Sequence, residues 1–275
     1  MSGPLVGRVA VVSGSGRGIG RHVVLKLAQL GARVVVNVKR GVEEAEETLG
    51  LVRSLGGEGF IIQSDVSSEE GARHLIHEAA KQLGAVDILV NNAGLGIAAP
   101  IENVDEKLWD KQLNVNLRSA FFTSKYAAPY MKERRWGRIV NVTSVAGLVG
   151  MKHLVPYSAA KAGIIGLTKA LASELSEHGI TVNAVAAGLV KTKMGMSLVE
   201  YIGRQSGAGE DPELMISRWE RIHTLLGKLP TEEEVASLIA YLTTPEAGSI
   251  TGQVFVIDSG WTIAESKNYM DWLRY

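Results

Sequence analysis

The stretch Val9-Ala10-Val11-Val12-Ser13-Gly14-Ser15-Gly16-Arg17-Gly18-Ile19-Gly20 runs four small or branched apolar residues into a glycine-rich turn. The apolar run reads as a buried strand. Arg21 to Leu30 then places Val23, Val24, Leu27 and Leu30 on one helical face. Strand, glycines and helix in that order are the setting of a dinucleotide-binding turn. Gly14 permits the sharp bend, Gly18 lets backbone N–H groups approach a pyrophosphate, and Gly20 allows close contact with the helix. The positive end of the helix faces the phosphates.

The same alternation continues along the chain. Strand candidates are Val9 to Val12, Val34 to Val38, Phe60 to Ile62, Val86 to Val90, Ile139 to Val142, Ile180 to Val185 and Val254 to Ile257, with helical spacing between them. This predicts an α/β fold of Rossmann type: a doubly wound, seven-stranded parallel sheet with helices on both faces. Glu43 to Leu55 places Leu49, Val52 and Leu55 inward and its acids outward. Ser67 and Glu70 are spaced as a capping box for a helix running to about Leu83. Gly31, Gly56, Gly84 and Gly179 close successive helices. No Pro-rich or Ser-rich linker and no internal repeat divides the chain, so residues 1–275 are expected to form one domain. The segment at about 190–229 interrupts the alternation and reads either as a substrate lid or as a helical decoration.

Composition narrows the function classes. Apolar residues make up 46% and charged residues 21% of 275 residues, which argues for a folded globular chain. Acidic and basic residues balance to zero net charge, and no basic stretch concentrates as in a nucleic-acid binder. No apolar run is long enough to span a membrane and no signal-peptide core precedes Ser13, so a cytoplasmic protein is expected. The absence of cysteine excludes disulfides, Cys-ligated metals and thiol nucleophiles. His74 and His77 share a helix face without an evident third ligand, so no metal site is expected.

Further motifs follow in order: Asp65-Val66, Asn91-Asn92-Ala93-Gly94, Asn116-Leu117, Ser144, and Tyr157-Ser158-Ala159-Ala160-Lys161. Together with the Gly14, Gly18, Gly20 spacing, they make the chain resemble the classical short-chain dehydrogenase/reductase family over nearly its whole length. Among its members the chain is most similar to 3-oxoacyl-carrier-protein reductases. The resemblance implies a nicotinamide cofactor and a catalytic group of Asn116, Ser144, Tyr157 and Lys161. In it, Tyr157 shuttles a proton at the substrate oxygen and Ser144 steadies that oxygen. Lys161 holds the nicotinamide ribose, and Asn116 holds a water linking Lys161 to solvent. From the residues alone, Tyr157 and Lys161 at i, i+4 project from one helix face, and a neighbouring ammonium favours the phenolate.

The cofactor site is expected to comprise Gly14, Ser15, Arg17, Gly18, Ile19, Gly20, Val38, Lys39, Arg40, Asp65, Val66, Asn92, Ala93, Gly94, Tyr157, Lys161, Gly188, Val190 and Thr192, with Asn91 beside them. Asp65 reads either as an adenine acceptor or as a helix cap. Val38 stands where the family's ribose-binding acid would be, and Lys39, Arg40 and Arg17 lie close by, so NADP(H) is expected over NAD(H).

Two departures from the family pattern stand out. Ala187 replaces the common proline before Gly188, and Asp258-Ser259-Gly260 replaces an acid followed by two glycines. The expected substrate end, with Leu95, Gly96, Gly150 to Val155, Leu189, Met194, Met196 and Tyr201, is mostly apolar. That favours reduction of a 3-oxoacyl thioester or ketone. Arg134 and Arg135 read either as a landing patch for an acidic carrier or as a solvated turn. The alternatives are a sugar or polyol dehydrogenase and a nucleotide-binding sensor without turnover. A homodimer or homotetramer is implied by the resemblance. The tail at about 261–275, with Tyr269, Met270, Trp272 and Leu273, reads as an oligomer contact or as packing on the lid.

Overall fold

Strand β1 (Val9–Val12) alternates its side chains between two cores. Val9 and Val11 pack on one face of the sheet, Ala10 and Val12 on the other, as the two-residue period of a strand requires. In the computed structural model, which describes residues 3–206 and 211–264, this two-sided burial recurs across a seven-stranded sheet.

The elements in chain order are β1, α1 (Gly18–Gln29), β2 (Arg33–Val38), α2 (Val42–Ser54), β3 (Gly59–Gln63), α3 (Glu69–Leu83), β4 (Ile88–Asn91), α4 (Glu106–Leu113) and α5 (Ser119–Glu133). They continue with β5 (Gly137–Ser144), α6 (Val155–Leu175), β6 (Ile180–Ala187), α7 (Lys193–Ser206), α8 (Pro212–His223), α9 (Glu232–Leu242) and β7 (Val254–Ile257). The strand order is β3-β2-β1-β4-β5-β6-β7, and every neighbouring pair is parallel. One core lies under α1, α2 and α9 and includes Val24, Leu27, Val52 and Ile239. The other lies under α3, α5 and α6 and includes Leu75, Ile76, Met131 and Leu175. The order reverses between β1 and β4, and the crevice beyond the carboxyl ends of these strands is where an open α/β sheet binds ligands.

Several boundaries differ from the sequence reading. The first helix begins at Gly18 rather than Arg21, because Arg21 N already donates back to Arg17 O at 3.2 Å and closes a helical turn over the glycines. The cap of α3 is Ser68, whose hydroxyl accepts from Gly71 N at 3.1 Å; Ser67 instead donates to Asp65 at 2.6 Å. β5 and β6 each run eight residues, two more than expected at their carboxyl ends, and so deliver Ser144 and Ala187 to the crevice. Gly31, Gly56, Gly84 and Gly179 all follow helices with positive φ, as expected.

The segment at about 190–229 is helical. α7 and α8 pack through Val199, Ile216 and Leu229, with Met196, Met215 and Trp219 against them. The tail residues Tyr269, Met270, Trp272 and Leu273 lie outside the described residues. Among the described residues no helix is long and apolar enough to cross a membrane.

Candidate active site

The turn between β1 and α1 is set by side chains beneath it. Gly14 has φ +61°, and a Cβ there would stand 2.8 Å from Ala93 Cα. Its N–H donates to Asn37 Oδ1 at 3.2 Å. Asn92 Nδ2 donates to the carbonyls of Ser13 (3.0 Å) and Gly14 (2.8 Å), which ties the turn to the segment after β4. A Cβ on Gly20 would lie 2.5 Å from that same Nδ2, so the close helix approach expected of Gly20 is present. Gly18 opens toward the cavity, with Thr192 as its nearest neighbour at 3.5 Å. No side chain caps the start of α1, which leaves its first N–H groups for an anion.

Two residues expected to border the cofactor face inward instead. Ser15 is fully buried; its hydroxyl donates to Val12 O at 2.7 Å and accepts from Asn37 N at 3.1 Å. Asn91 donates to Ser124 Oγ (3.0 Å) and Asn141 Oδ1 (2.8 Å) in a buried network beneath the site. Both hold the floor rather than line the cavity. Asn37, between them, was legible only as part of the segment around Val38, yet it joins Gly14 to Ile62 O and Ser64 O.

At the outer end the cations are partnered. Lys39 Nζ lies 2.6 Å from Asp65 Oδ2, and Arg17 reaches both oxygens of Glu44 at 2.7 and 3.0 Å. Burial raises the Asp65 carboxyl, but hydrogen bonds from Lys39 and Ser67 outweigh it and hold the group below its usual range. Arg40 is exposed and forms no ion pair among the described residues. Val38 and Val66 supply apolar walls.

The reacting end lies where β5, α6 and the segment after β4 meet. α6 starts at Val155 with Pro156 in its first turn, which projects Tyr157 and Lys161 from one face. Lys161 Nζ is 5.5 Å from the centre of the Tyr157 ring and donates to Val142 O at 2.9 Å. Lys161 is 3% exposed, and burial lowers its pKa to about 8. Burial raises Tyr157, and a hydrogen bond with Ser144 works against that rise. Asn116 sits in a π-helical turn, Asn114–Arg118, of the kind that recurs at functional sites. Its amide donates to Leu95 O and Gln112 O, both at 2.8 Å, and its Oδ1 accepts from Leu95 N at 3.1 Å. A Cβ on Gly94 would come within 3.2 Å of Asn116 Oδ1 and 3.7 Å of Lys161 Nζ, so both side chains approach the backbone at Gly94.

A cavity of about 980 Å³ joins these regions. It runs from Arg17, Val38, Lys39, Arg40 and Asp65 past Gly14, Gly18, Ile19 and Gly20, along Asn92, Ala93 and Gly94, to Ser144, Tyr157 and Lys161. Gly188, Val190 and Thr192 line the opposite wall. Of the expected substrate-end residues, Leu95, Gly96, Met151, Leu189 and Met194 line it; Met196 packs between α7 and α8, and Tyr201 bonds to His153. Leu198, Trp219 and Trp261 were not singled out for this wall. Leu198 was legible as Met194 plus four residues on one helix, whereas the edge-on contact of the two indoles, 5.3 Å apart, is long-range.

The two departures meet beside this wall. Ala187 closes β6 opposite Ile257, and Gly188 N donates to Ile257 O at 3.0 Å, so the ladder continues without a proline. Ser259 takes φ +57°, and its carbonyl accepts from Leu225 and Leu226, fastening the end of the segment at about 190–229. Among the described residues no three His, Cys, Asp or Glu side chains gather to hold a metal ion; His77 Nδ1 bonds Tyr130 Oη at 2.8 Å. Arg134 is bound to the fully buried Asp87 at 2.8 Å. The Arg134–Arg135 pair precedes β5, at the other end of the sheet from Ser144, so within one chain it is not a landing patch beside the cavity.

Residues 8–202 match the sequence profile of the short chain dehydrogenase family. The 3-oxoacyl-(acyl-carrier-protein) reductase of Staphylococcus aureus is 35% identical over 251 residues, covering 91% of this chain and 96% of that protein. The crystal structure of levodione reductase superposes with a TM-score of 0.88 at 28% identity, covering 94% of this chain and 99% of that one. NAD+-bound xylitol dehydrogenase superposes at 0.86, also 28% identical, covering 93% and 99%. With Gly14, Gly18, Gly20, Ser144, Tyr157 and Lys161 all standing around one crevice and Asn116 bonded to Leu95 in its wall, the chain belongs to the short-chain dehydrogenase/reductase family of nicotinamide-dependent oxidoreductases.

Proposed function

We propose that the protein reduces a carbonyl to a secondary alcohol with NADPH, acting on a 3-oxoacyl thioester or a ketone of similar polarity. The observation that carries this reading is the Tyr157–Lys161 pair: a phenol and a buried ammonium with no acidic partner among the described residues, lining a cavity that also reaches the uncapped start of α1. The open backbone at Gly18 and the length of the cavity fit a dinucleotide. When bound, the nicotinamide supplies the hydride.

The chain's own residues handle the proton and the charge. Tyr157 Oη holds the proton that the carbonyl oxygen takes, and Ser144 Oγ steadies the same oxygen. The Lys161 ammonium offsets the phenolate left behind. Asn116, bonded to the Leu95 backbone, keeps the Gly94–Leu95 segment against this group. Its part is to position that segment, with the Asn116 amide and the Lys161 ammonium both close to Gly94.

Preference for NADP(H) is supported by the missing carboxylate at Val38 and by three cations nearby. Arg17 and Lys39 sit in exposed ion pairs, which are weak and exchangeable for a phosphate, and Arg40 has no carboxylate to exchange among the described residues. A polyol dehydrogenase would need hydroxyl-matching groups at the substrate end. The walls there are Leu95, Met151, Met194, Leu198, Trp219 and Trp261, which suit an apolar substituent. Exposed Trp109 and Phe121, on α4 and α5, support a homo-oligomer.

The test is consumption of NADPH and of NADH with a 3-oxoacyl thioester, a cyclic ketone and, in the oxidising direction, a pentitol. The reading expects thioester or ketone turnover with NADPH favoured. Turnover of the pentitol alone contradicts it.

A further inference from the structure

His153 and Tyr201 stand outside the proton-transfer group but are joined to each other beside it. His153 Nδ1 and Tyr201 Oη are 3.0 Å apart, and the two rings meet edge to face at 5.7 Å and 87°. His153 is held at φ +65°, a conformation that side chains other than glycine rarely adopt, and its carbonyl accepts from Ala99 N at 2.9 Å. The loop before α6 is thus fastened both to the segment after β4 and to α7.

The geometry on either side of this bond encloses the apolar part of the cavity. His153 precedes Tyr157 by four residues. Tyr201 follows Met194 and Leu198 on one face of α7, so roughly 10 Å of helix separates Tyr201 from Met194. Met194 in turn reaches the reacting end: a Cβ on Gly96 would be 3.5 Å from Met194 Sδ and 3.6 Å from the Tyr157 ring. Tyr157, His153, Tyr201, Met194 and Gly96 are thus linked in a closed circuit of chain and contacts. Met151, two residues before His153, and Leu198, three residues before Tyr201, line the cavity, whereas His153 and Tyr201 are not among its lining residues.

We propose that His153 and Tyr201 are a positioning pair that fixes the far wall of the substrate pocket and so limits the length of the apolar group admitted beside Tyr157. The substrate named here rests on the reductase reading above. The bond survives either state of the imidazole, since a neutral Nδ1 accepts from the phenol and a protonated one donates to the phenol oxygen. The pair therefore sets a dimension and is not a pH switch.

Tyr201→Phe keeps the ring and deletes the hydroxyl. His153→Asn keeps a residue that tolerates the left-handed backbone and offers an amide near the position of Nδ1. Steady-state rates are to be compared with NADPH and 3-oxoacyl thioesters of short, medium and long acyl chain. In the wild type kcat/KM should fall with chain length. In Tyr201→Phe the long chains should gain roughly three- to tenfold, the effect of one neutral hydrogen bond, while kcat on the short chain stays within about twofold. His153→Asn should keep the wild-type profile. An unchanged profile in Tyr201→Phe, with turnover intact, overturns the pair and leaves the reductase reading standing.

If the wild type turns over no thioester, it is the reductase reading that fails. The pair is then judged by amide hydrogen exchange across residues 193–206, expected to quicken roughly three- to tenfold in Tyr201→Phe and not in His153→Asn. Unchanged exchange in Tyr201→Phe overturns it.

Discussion

Lys161 is where the site departs most from what stability alone would select. Its ammonium is buried, donates to one backbone carbonyl and has no carboxylate beside it among the described residues, and burial draws its pKa from 10.5 to about 8. Between those values the unfolded chain binds the proton that the folded chain has lost, so stability rises with pH across that window. Below about pH 8 the fold bears the whole difference, on the order of 3 kcal/mol. Lys161→Met should therefore raise stability to denaturant at pH 7, by 1 kcal/mol or more on that order-of-magnitude figure, and lose its advantage near pH 10.5 while abolishing turnover. Urea unfolding of both proteins at pH 7 and pH 10 checks this, and a destabilised Lys161→Met at pH 7 would contradict it. Both Lys161 and Tyr157 were legible from their spacing. The inward turn of Ser15 and Asn91 was not, because a one-dimensional motif does not say which of two faces a hydroxyl or amide takes.

At the scale of elements, alternation of apolar runs located every strand and most helices, since the two-residue period and the 3.6-residue period are local properties. End points were harder. Ser67 and Glu70 carry the spacing of a capping box, but Ser67 is drawn to Asp65 and the cap passes to Ser68. The capping box that does form is Thr231 with Glu234 at the start of α9. Ser68→Ala should cost about 1 kcal/mol of stability, as the loss of an N-cap does. Ser67→Ala should cost less than that and should instead weaken cofactor binding, because it removes a hydrogen bond that fixes the Asp65 carboxylate in the cavity wall. Unfolding midpoints and cofactor titrations of the two variants separate these outcomes. The helices at about 190–229 were read only as apolar clusters between glycines, for their burial depends on α7 and α8 packing on one another.

The molecule as a whole divides its labour between the two ends of the sheet. Glycine turn, Ser144 and the Tyr157–Lys161 pair gather at the carboxyl ends, while Asp87 anchors the amino ends, where its carboxylate takes Arg8, Arg134 and the N–H of Val9. Roughly 23 Å of β5 lies between Gly137 and Ser144. Removing a buried partner from such a cluster is costly, so Asp87→Ala should lose about 3 kcal/mol of stability yet bind NADPH within about twofold of the wild type where both are folded. Chemical denaturation with a parallel fluorescence titration reads both quantities. This polarity followed from the parallel strand order, which the sequence pattern already implied. That the Arg134–Arg135 pair belongs to the amino ends could be seen only once its position before β5 was fixed.

In the proposed reaction Tyr157 supplies the proton while the rest of the cavity holds the cofactor and substrate. This is tested most directly by measuring NADPH binding and single-turnover carbonyl reduction side by side in the wild type and in Tyr157→Phe. The expected result is NADPH affinity within about threefold of the wild type and a rate lower by roughly a hundredfold or more, the scale of a lost general acid. A Tyr157→Phe protein that still reduces the carbonyl at close to the wild-type rate would contradict the account.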